Sequence, residues 1–388
     1  MKMFVRYTLL LLAVIVLCQT GIALAGDFYW ISSEKTDGAS AAGDQQAAAP
    51  AKSLSCPEES ICSDKCCCNN ACDCCACTAV ESCRTWYVDY RIQEMFGYTS
   101  FEFGTVPQLR GLQYAPLSKL DYSLDSTWNG VRVGVQRCNW DVHFEWLMPM
   151  VQRIDGGIND YDWNIAAPTN DPTRLDSLSH SATRWNDGQK IELEVDYKYS
   201  DCFLGMPIEV WPLAGFRFQR FDMTGYDLTQ NIGGGVQPNG NPIPNPGDFY
   251  PGDILTLNQQ YYIGYIGAQL RSCIERECRP PINLVFQFDW GATGAYNVDH
   301  HIDYERLGIH RYNMESTGGD ALHLSLSGDV PLNCHLSLGL QADYMRIRTT
   351  GTHRLIESGA ATEDLSWSNG VLVKSEQTDI TAYLRYTW

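Results

Sequence analysis

Beyond its first few dozen residues the chain has no apolar run approaching the length of a membrane-crossing helix, which excludes a helical span. It is short of positive charge. Against 46 Asp and Glu stand 28 Lys and Arg, a formal net charge of −18 that argues against nucleic acid as a partner and favours soluble loops or basic ligands. Its densest cysteine cluster has no histidine nearby, which removes the usual companion of thiolates at a zinc site. The missing helix does not exclude a membrane, because a barrel strand crosses with only about ten alternating residues.

What is present begins with a leader. In MKMFVRYTLLLLAVIVLCQTGIALAG, Lys2 and Arg6 precede an apolar run from Leu9 to Leu17, and Ala23-Leu24-Ala25 supplies small residues for cleavage. Cys18 is not a lipoprotein cysteine, since Leu17 stands where a small residue is required. Residues 1–25 are therefore expected to be removed outside the cytoplasm. Residues 26–55 read as a low-complexity linker and 56–97 as a cysteine-rich periplasmic segment. That segment holds Cys56, Cys62, Cys66, Cys67, Cys68, Cys72, Cys74, Cys75, Cys77 and Cys83. In an exported chain the leading reading is disulfides, with soft-metal chelation second. An odd number of cysteines survives removal of Cys18, so one thiol is left over for a partner.

The remainder is organised around Pro281 to His301, PINLVFQFDWGATGAYNVDHH. Ile282, Leu284, Phe286, Phe288 and Trp290 alternate with Asn283, Gln287 and Asp289, Val285 being the one apolar exception, so one face is oily and the other wet. Continuing that parity places Asn297, Asp299 and His301 on the wet face. Similar alternation sets Ile191, Leu193, Val195 and Tyr197 against Lys190, Glu192, Glu194 and Asp196. Ten strands are expected, near 98–108, 118–137, 140–154, 186–200, 208–226, 254–271, 281–299, 310–328, 334–349 and 377–388. Their connections alternate short and long, the long ones near 155–185, 227–253, 299–310 and 350–376, as periplasmic turns and outer loops do. Cys138, Cys202, Cys273, Cys278 and Cys334 all fall in the short set, with Cys273 and Cys278 bracketing one turn as the best-placed pair for a disulfide. Aromatics are plentiful enough for interfacial girdles, and the chain ends on a strand closed by Trp388. These features predict an all-β fold, a ten-stranded antiparallel transmembrane β-barrel over 98–388 in a bacterial outer membrane.

Several stretches resemble the omptins, ten-stranded outer-membrane proteases. Ser118-Lys119-Leu120-Asp121-Tyr122 is similar to their S-x-L-D-W segment, and Gly156-Gly157-Ile158-Asn159-Asp160-Tyr161-Asp162-Trp163 to their G-G…D-x-D-W loop. Asn258-Gln259-Gln260 through Gly267, Asp299-His300-His301 as D-x-H, and the closing Leu384-Arg385-Tyr386-Thr387-Trp388 complete the likeness in order. The resemblance implies that Asp160, Asp162, Asp299 and His301 are catalytic, holding a water that attacks a scissile carbonyl at the cell surface. It also implies a lipopolysaccharide requirement, with no other cofactor.

The residues support such chemistry in their own right. Asp160 and Asp162 at i and i+2 of a strand form a carboxylate pair that titrates together, and Asp299 can orient His301 as a general base. Blander readings are a solvated or calcium-touching Asp-x-Asp, and a chelating set of Asp299, His300, His301 and Asp303. Two acids that hold a basic substrate side chain in the omptins are matched here by Gly111 and Asn297, so a specificity that is not strictly basic is expected. The rival function is a non-catalytic envelope barrel, adhesin or small pore, cross-linked to periplasmic partners through its cysteine-rich arm.

Overall fold

The computed structural model describes residues 84–103, 117–163, 174–236, 242–276, 279–359 and 362–388. The leader, the linker, the cysteine cluster, Gly111 and Cys278 lie outside the described residues. Twelve strand segments follow in order: β1 (Arg84–Phe103), β2 (Ser118–Ser123), β3 (Ser126–Arg137), β4 (Trp140–Pro149), β5 (Arg153–Trp163), β6 (Leu175–Tyr197), β7 (Glu209–Ile232), β8 (Phe249–Arg276), β9 (Arg279–His301), β10 (His310–Pro331), β11 (Leu336–Ser358) and β12 (Thr362–Thr387). A 3-10 helix, Asp303–Leu307, bridges β9 and β10. Every pairing is antiparallel, and β12 returns to pair with β1, so the sheet closes into a barrel. β2 and β3 both pair with β1, and β4 and β5 both pair with β6, so each couple forms one interrupted stave. The ring therefore has ten staves.

The expected alternation holds and carries the fold. Leu193, Tyr197, Phe286, Phe288, Trp290, Leu338, Leu340, Leu384 and Tyr386 stand exposed on the outer wall, while Glu194, Asp196, Gln287, Asp289 and His323 are buried inside. An apolar outer wall is what lipid requires, because every strand hydrogen bond is already made within the ring. Inside, burial of charge demands partners. Arg217 pairs with Asp289 at 2.5 Å and with Glu192 at 2.8 Å, Arg271 with Asp196 at 3.0 Å, Lys190 with Asp379 at 2.8 Å, and Arg385 with Asp89 at 2.7 Å. Lys190, Glu192, Asp196, Arg217, Arg271, Asp379 and Arg385 line a cavity of about 1070 Å³ in the half of the barrel nearest the short turns, together with Cys138 and Cys202.

Three expectations need correction. The first strand begins at Arg84, not Tyr98. Val88, Tyr90 and Ile92 face outward there against buried Asp89, Arg91 and Gln93, an alternation hidden by its closeness to the cysteine cluster. Most of the expected outer loops 155–185, 227–253 and 350–376 are strand as well. β5, β6, β7, β8, β11 and β12 run on past the apolar belt, where both faces are polar and no hydrophobic period marks them. Cys273 lies within β8, opposite Asn283, rather than in a turn. Cys202 and Cys334 are disulfide-bonded, and Cys138 is a free, exposed thiol.

Candidate active site

From Asn283 to His301, β9 pairs with β8 and β10 without a register shift, so neither Gly291 nor Gly294 interrupts the parity. Asn297 and Asp299 point inward and are fully buried, and His301 follows at the rim with 14 % of its side chain exposed. Its Nε2 lies 2.9 Å from Asp299 Oδ2. Asn313 Nδ2 lies 3.3 Å from the same Nε2, and the other ring nitrogen, Nδ1, faces Asp303 Oδ1 at 4.0 Å. Asn313, directly across on β10, donates from Nδ2 to the same Asp299 oxygen at 3.0 Å. Tyr304 stands edge-on to the His301 ring at 5.5 Å and accepts a hydrogen bond from Arg311 at 3.2 Å. Parity sends His300 to the outer face, stacked on Tyr312 at 4.2 Å, so the chelating set of Asp299, His300, His301 and Asp303 is split between the two faces.

Asp160 and Asp162 sit on β5, not in a loop. Two extra residues bulge out between Ile154 and Ile158, with Gly156 and Gly157 at φ of 90° and 69°. Because the insertion is even, both isoleucines stay inside, and Asp160 and Asp162 inherit the inward face. Their cross-strand neighbours are Leu120 and Ser179 for Asp160, Ser118 and Ser177 for Asp162. The Ser118 hydroxyl donates to Asp160 Oδ1 at 3.5 Å. On the outer side of the same strands Lys119 and Asp121 form an ion pair at 2.7 Å, so this level lies beyond the apolar belt.

β5 and β9 are separated by β6, β7 and β8 one way round and by five staves the other, which puts the two pairs on nearly opposite walls of the mouth. Their charges interact across it. The Asp160 carboxyl is held well above the usual range by burial first and then by Asp162, with Asp299 and Asp303 adding and Arg311 opposing. Asp162 is also raised by burial, while a Ser118 hydrogen bond, Arg311 and His301 hold it lower. The two titrate as a unit and retain a proton where free carboxylates have lost it.

A second histidine–carboxylate pair, not singled out in the sequence, lies beneath the first. Glu315 is the cross-strand partner of Asn297 and meets His353 Nδ1 at 2.8 Å, both fully enclosed. Burial and then the Asp299 charge push Glu315 well above the carboxylate range. Burial brings His353 down to about 4. Glu315 and His353 share a row with Gln259 and Asn297 across four strands, a relation that only the register reveals.

No protein-family profile matches the chain, and no curated protein matches it by sequence. In three dimensions it is similar to the outer membrane protease OmpT from Escherichia coli, with a TM-score of 0.63 and 15% identity over 78% of this chain and 97% of that one. The outer membrane protein OprG from Pseudomonas aeruginosa is a more distant likeness, with a TM-score of 0.28 and 12% identity over 77% of this chain and 95% of that one. At such identities the likeness speaks to the fold, an outer-membrane-type β-barrel.

Proposed function

We propose that the chain is an omptin-like endopeptidase of a bacterial outer membrane, its active site opening at the cell surface and its cysteine-rich arm in the periplasm. The observation that carries this reading is that Asp160 and Asp162 on β5 and Asp299 and His301 on β9 face the same mouth from opposite walls, near enough for their charges to interact. The His301 imidazole takes a proton from a water as its oxygen adds to the scissile carbonyl. Asp299, steadied by Asn313, holds the imidazole. The proton kept by the Asp160–Asp162 pair passes to the departing amine, completing addition of water across the peptide bond. The likeness to OmpT supports the choice of reaction, and the polar belt around the mouth supports access from outside.

Specificity follows from the row beneath. Asn297 is neutral, and the acid beside it, Glu315, keeps its proton and is hydrogen-bonded to His353. No fixed negative charge on that row selects Lys or Arg, so peptides with neutral residues at the cut should compete with basic ones. Partners on this reading are outer-membrane lipid, lipopolysaccharide included, surface peptides or proteins, and periplasmic proteins disulfide-linked to the arm.

The test is the purified full-length barrel in lipopolysaccharide-containing micelles with a mixed peptide library. His301→Ala and Asp160→Asn should each lower kcat/KM by about a hundredfold or more, the scale of a general acid–base group. Absence of cleavage by correctly folded wild type would leave the non-catalytic envelope barrel as the reading.

A further inference from the structure

His300, rejected by strand parity from the inner site, heads a cluster of its own. It ends β9, Glu305 lies in the following 3-10 helix, and His310 opens β10, so three consecutive elements of one hairpin tip converge. His300 Nε2 and His310 Nδ1 each lie 3.1 Å from the same oxygen, Glu305 Oε1. All three atoms fall within 4.8 Å of one another.

The two contacts differ in a telling way. His310 is aligned with Glu305 as a hydrogen bond. His300 Nε2 stands at the same distance and is enclosed, yet makes no hydrogen bond. Its ring direction misses the oxygen, although stacking on Tyr312, with the planes 8° apart, holds the ring in place. The enclosed His300 nitrogen is thus left with a lone pair and no hydrogen-bond partner beside a carboxylate and a second imidazole. Around a bound metal ion, neighbouring donor atoms sit along the edges of a polyhedron. For a tetrahedral ion with bonds of about 2.0–2.2 Å those edges are roughly 3.3 Å long. Two imidazoles and one carboxylate are the donor set that borderline ions such as Zn²⁺ prefer over Mg²⁺ or Ca²⁺.

We infer that His300, Glu305 and His310 form a site for a zinc-class divalent ion on the outer face of the β9–β10 tip. The three protein ligands leave a fourth position toward solvent. An ion there ties the end of β9 to the start of β10 through the helix that presents Asp303 and Tyr304 to His301. Binding at this tip is independent of whether the mouth cleaves peptides, and it is measured without any assay of activity.

The test is Co²⁺ titration of the full chain in micelles, thiols first alkylated, followed by visible absorption. Wild type should bind one equivalent with the d–d bands of a nitrogen and oxygen site and without thiolate charge-transfer bands, and Zn²⁺ should displace it. His310→Ala and Glu305→Gln should each weaken binding by at least about tenfold, the lower end of what loss of a mere outer-shell partner costs. Both positions are exposed, so neither change threatens the barrel. Unchanged stoichiometry and affinity in both variants, or bands of sulfur ligation alone, would overturn the proposal.

Discussion

At the scale of single residues, the mouth is built from groups whose burial sets their protonation. Glu315 and Asp160 keep protons in the folded barrel that the unfolded chain releases above about pH 4, so the folded state binds more protons and stability falls as pH rises. His353 has the opposite sign. With its folded value near 4 and its unfolded value near 6.5, the unfolded chain binds the extra proton, and stability is lost as pH falls through that window. Glu315→Gln should therefore gain stability relative to wild type as pH rises from about 4.5, by no more than roughly 1.4 kcal/mol per pH unit. His353→Gln should gain relative to wild type below about pH 6.5. Urea unfolding in micelles across pH 4–8 reads both, and curves running parallel to wild type would refute these assignments.

Legibility at this scale followed strand parity. Asp299 and His301 could be placed because parity counted from Asn283 fixes which way they point, and no register shift interrupts it. Asn313 and Glu315 could not, since their roles depend on lying opposite Asp299 and Asn297 on another strand, and nothing local in HRYNMES signals it.

At the scale of elements, the decisive device is the bulge that feeds β5 into the mouth. A Cβ on Gly157 would sit 2.3 Å from the Ser181 carbonyl oxygen, and its φ of 69° is costly for any other residue. Gly157→Ala should force the β5–β6 ladder apart at that point, at a cost on the order of 1–3 kcal/mol, and shift Asp160 and Asp162. The expectation is a fall in peptide cleavage comparable to Asp160→Asn with the barrel still resistant to detergent unfolding; full activity would show that the bulge does not set the carboxylates. The Gly156-Gly157 pair marked this spot in the sequence as a place where parity could change. That the inserted residues are even in number, and so leave the face unchanged, emerges only from the paired strands. The extended hairpins were illegible for a related reason. Outside lipid both strand faces are wet, so the hydrophobic period that betrays a strand vanishes while the backbone ladder continues.

At the scale of the whole molecule, a layer of mostly apolar side chains fills the described interior between the charged cavity and the mouth. Every stave contributes to it: Met95 and Phe101, Tyr122, Trp128, Ile158, Trp185, Phe221, Tyr261, Ala295, Ala321, Ile347 and Val373 form one buried cluster. Trp128 meets Trp185 edge-on at 5.3 Å and Phe221 at 6.2 Å, and Phe221 reaches Tyr261 at 6.3 Å. Below the plug lies the charged cavity facing the short turns, and above it lie the aspartates and His301. The middle of this ring is filled largely by aromatic and aliphatic side chains, above the charged cavity. The arrangement bears directly on the rival functions, because a pore needs polar groups along its whole length, whereas a surface hydrolase needs them only at the mouth. Reconstituted into planar bilayers, the wild-type barrel should show no steady conductance. Trp128→Ala combined with Phe221→Ala removes the centre of the plug and should admit water and small ions, at a stability cost of about 3–5 kcal/mol for each ring lost. Steady single-channel conductance from the wild type would overturn this division and favour the pore. Silence from the wild type with conductance from the double variant would fix the plug as the barrier.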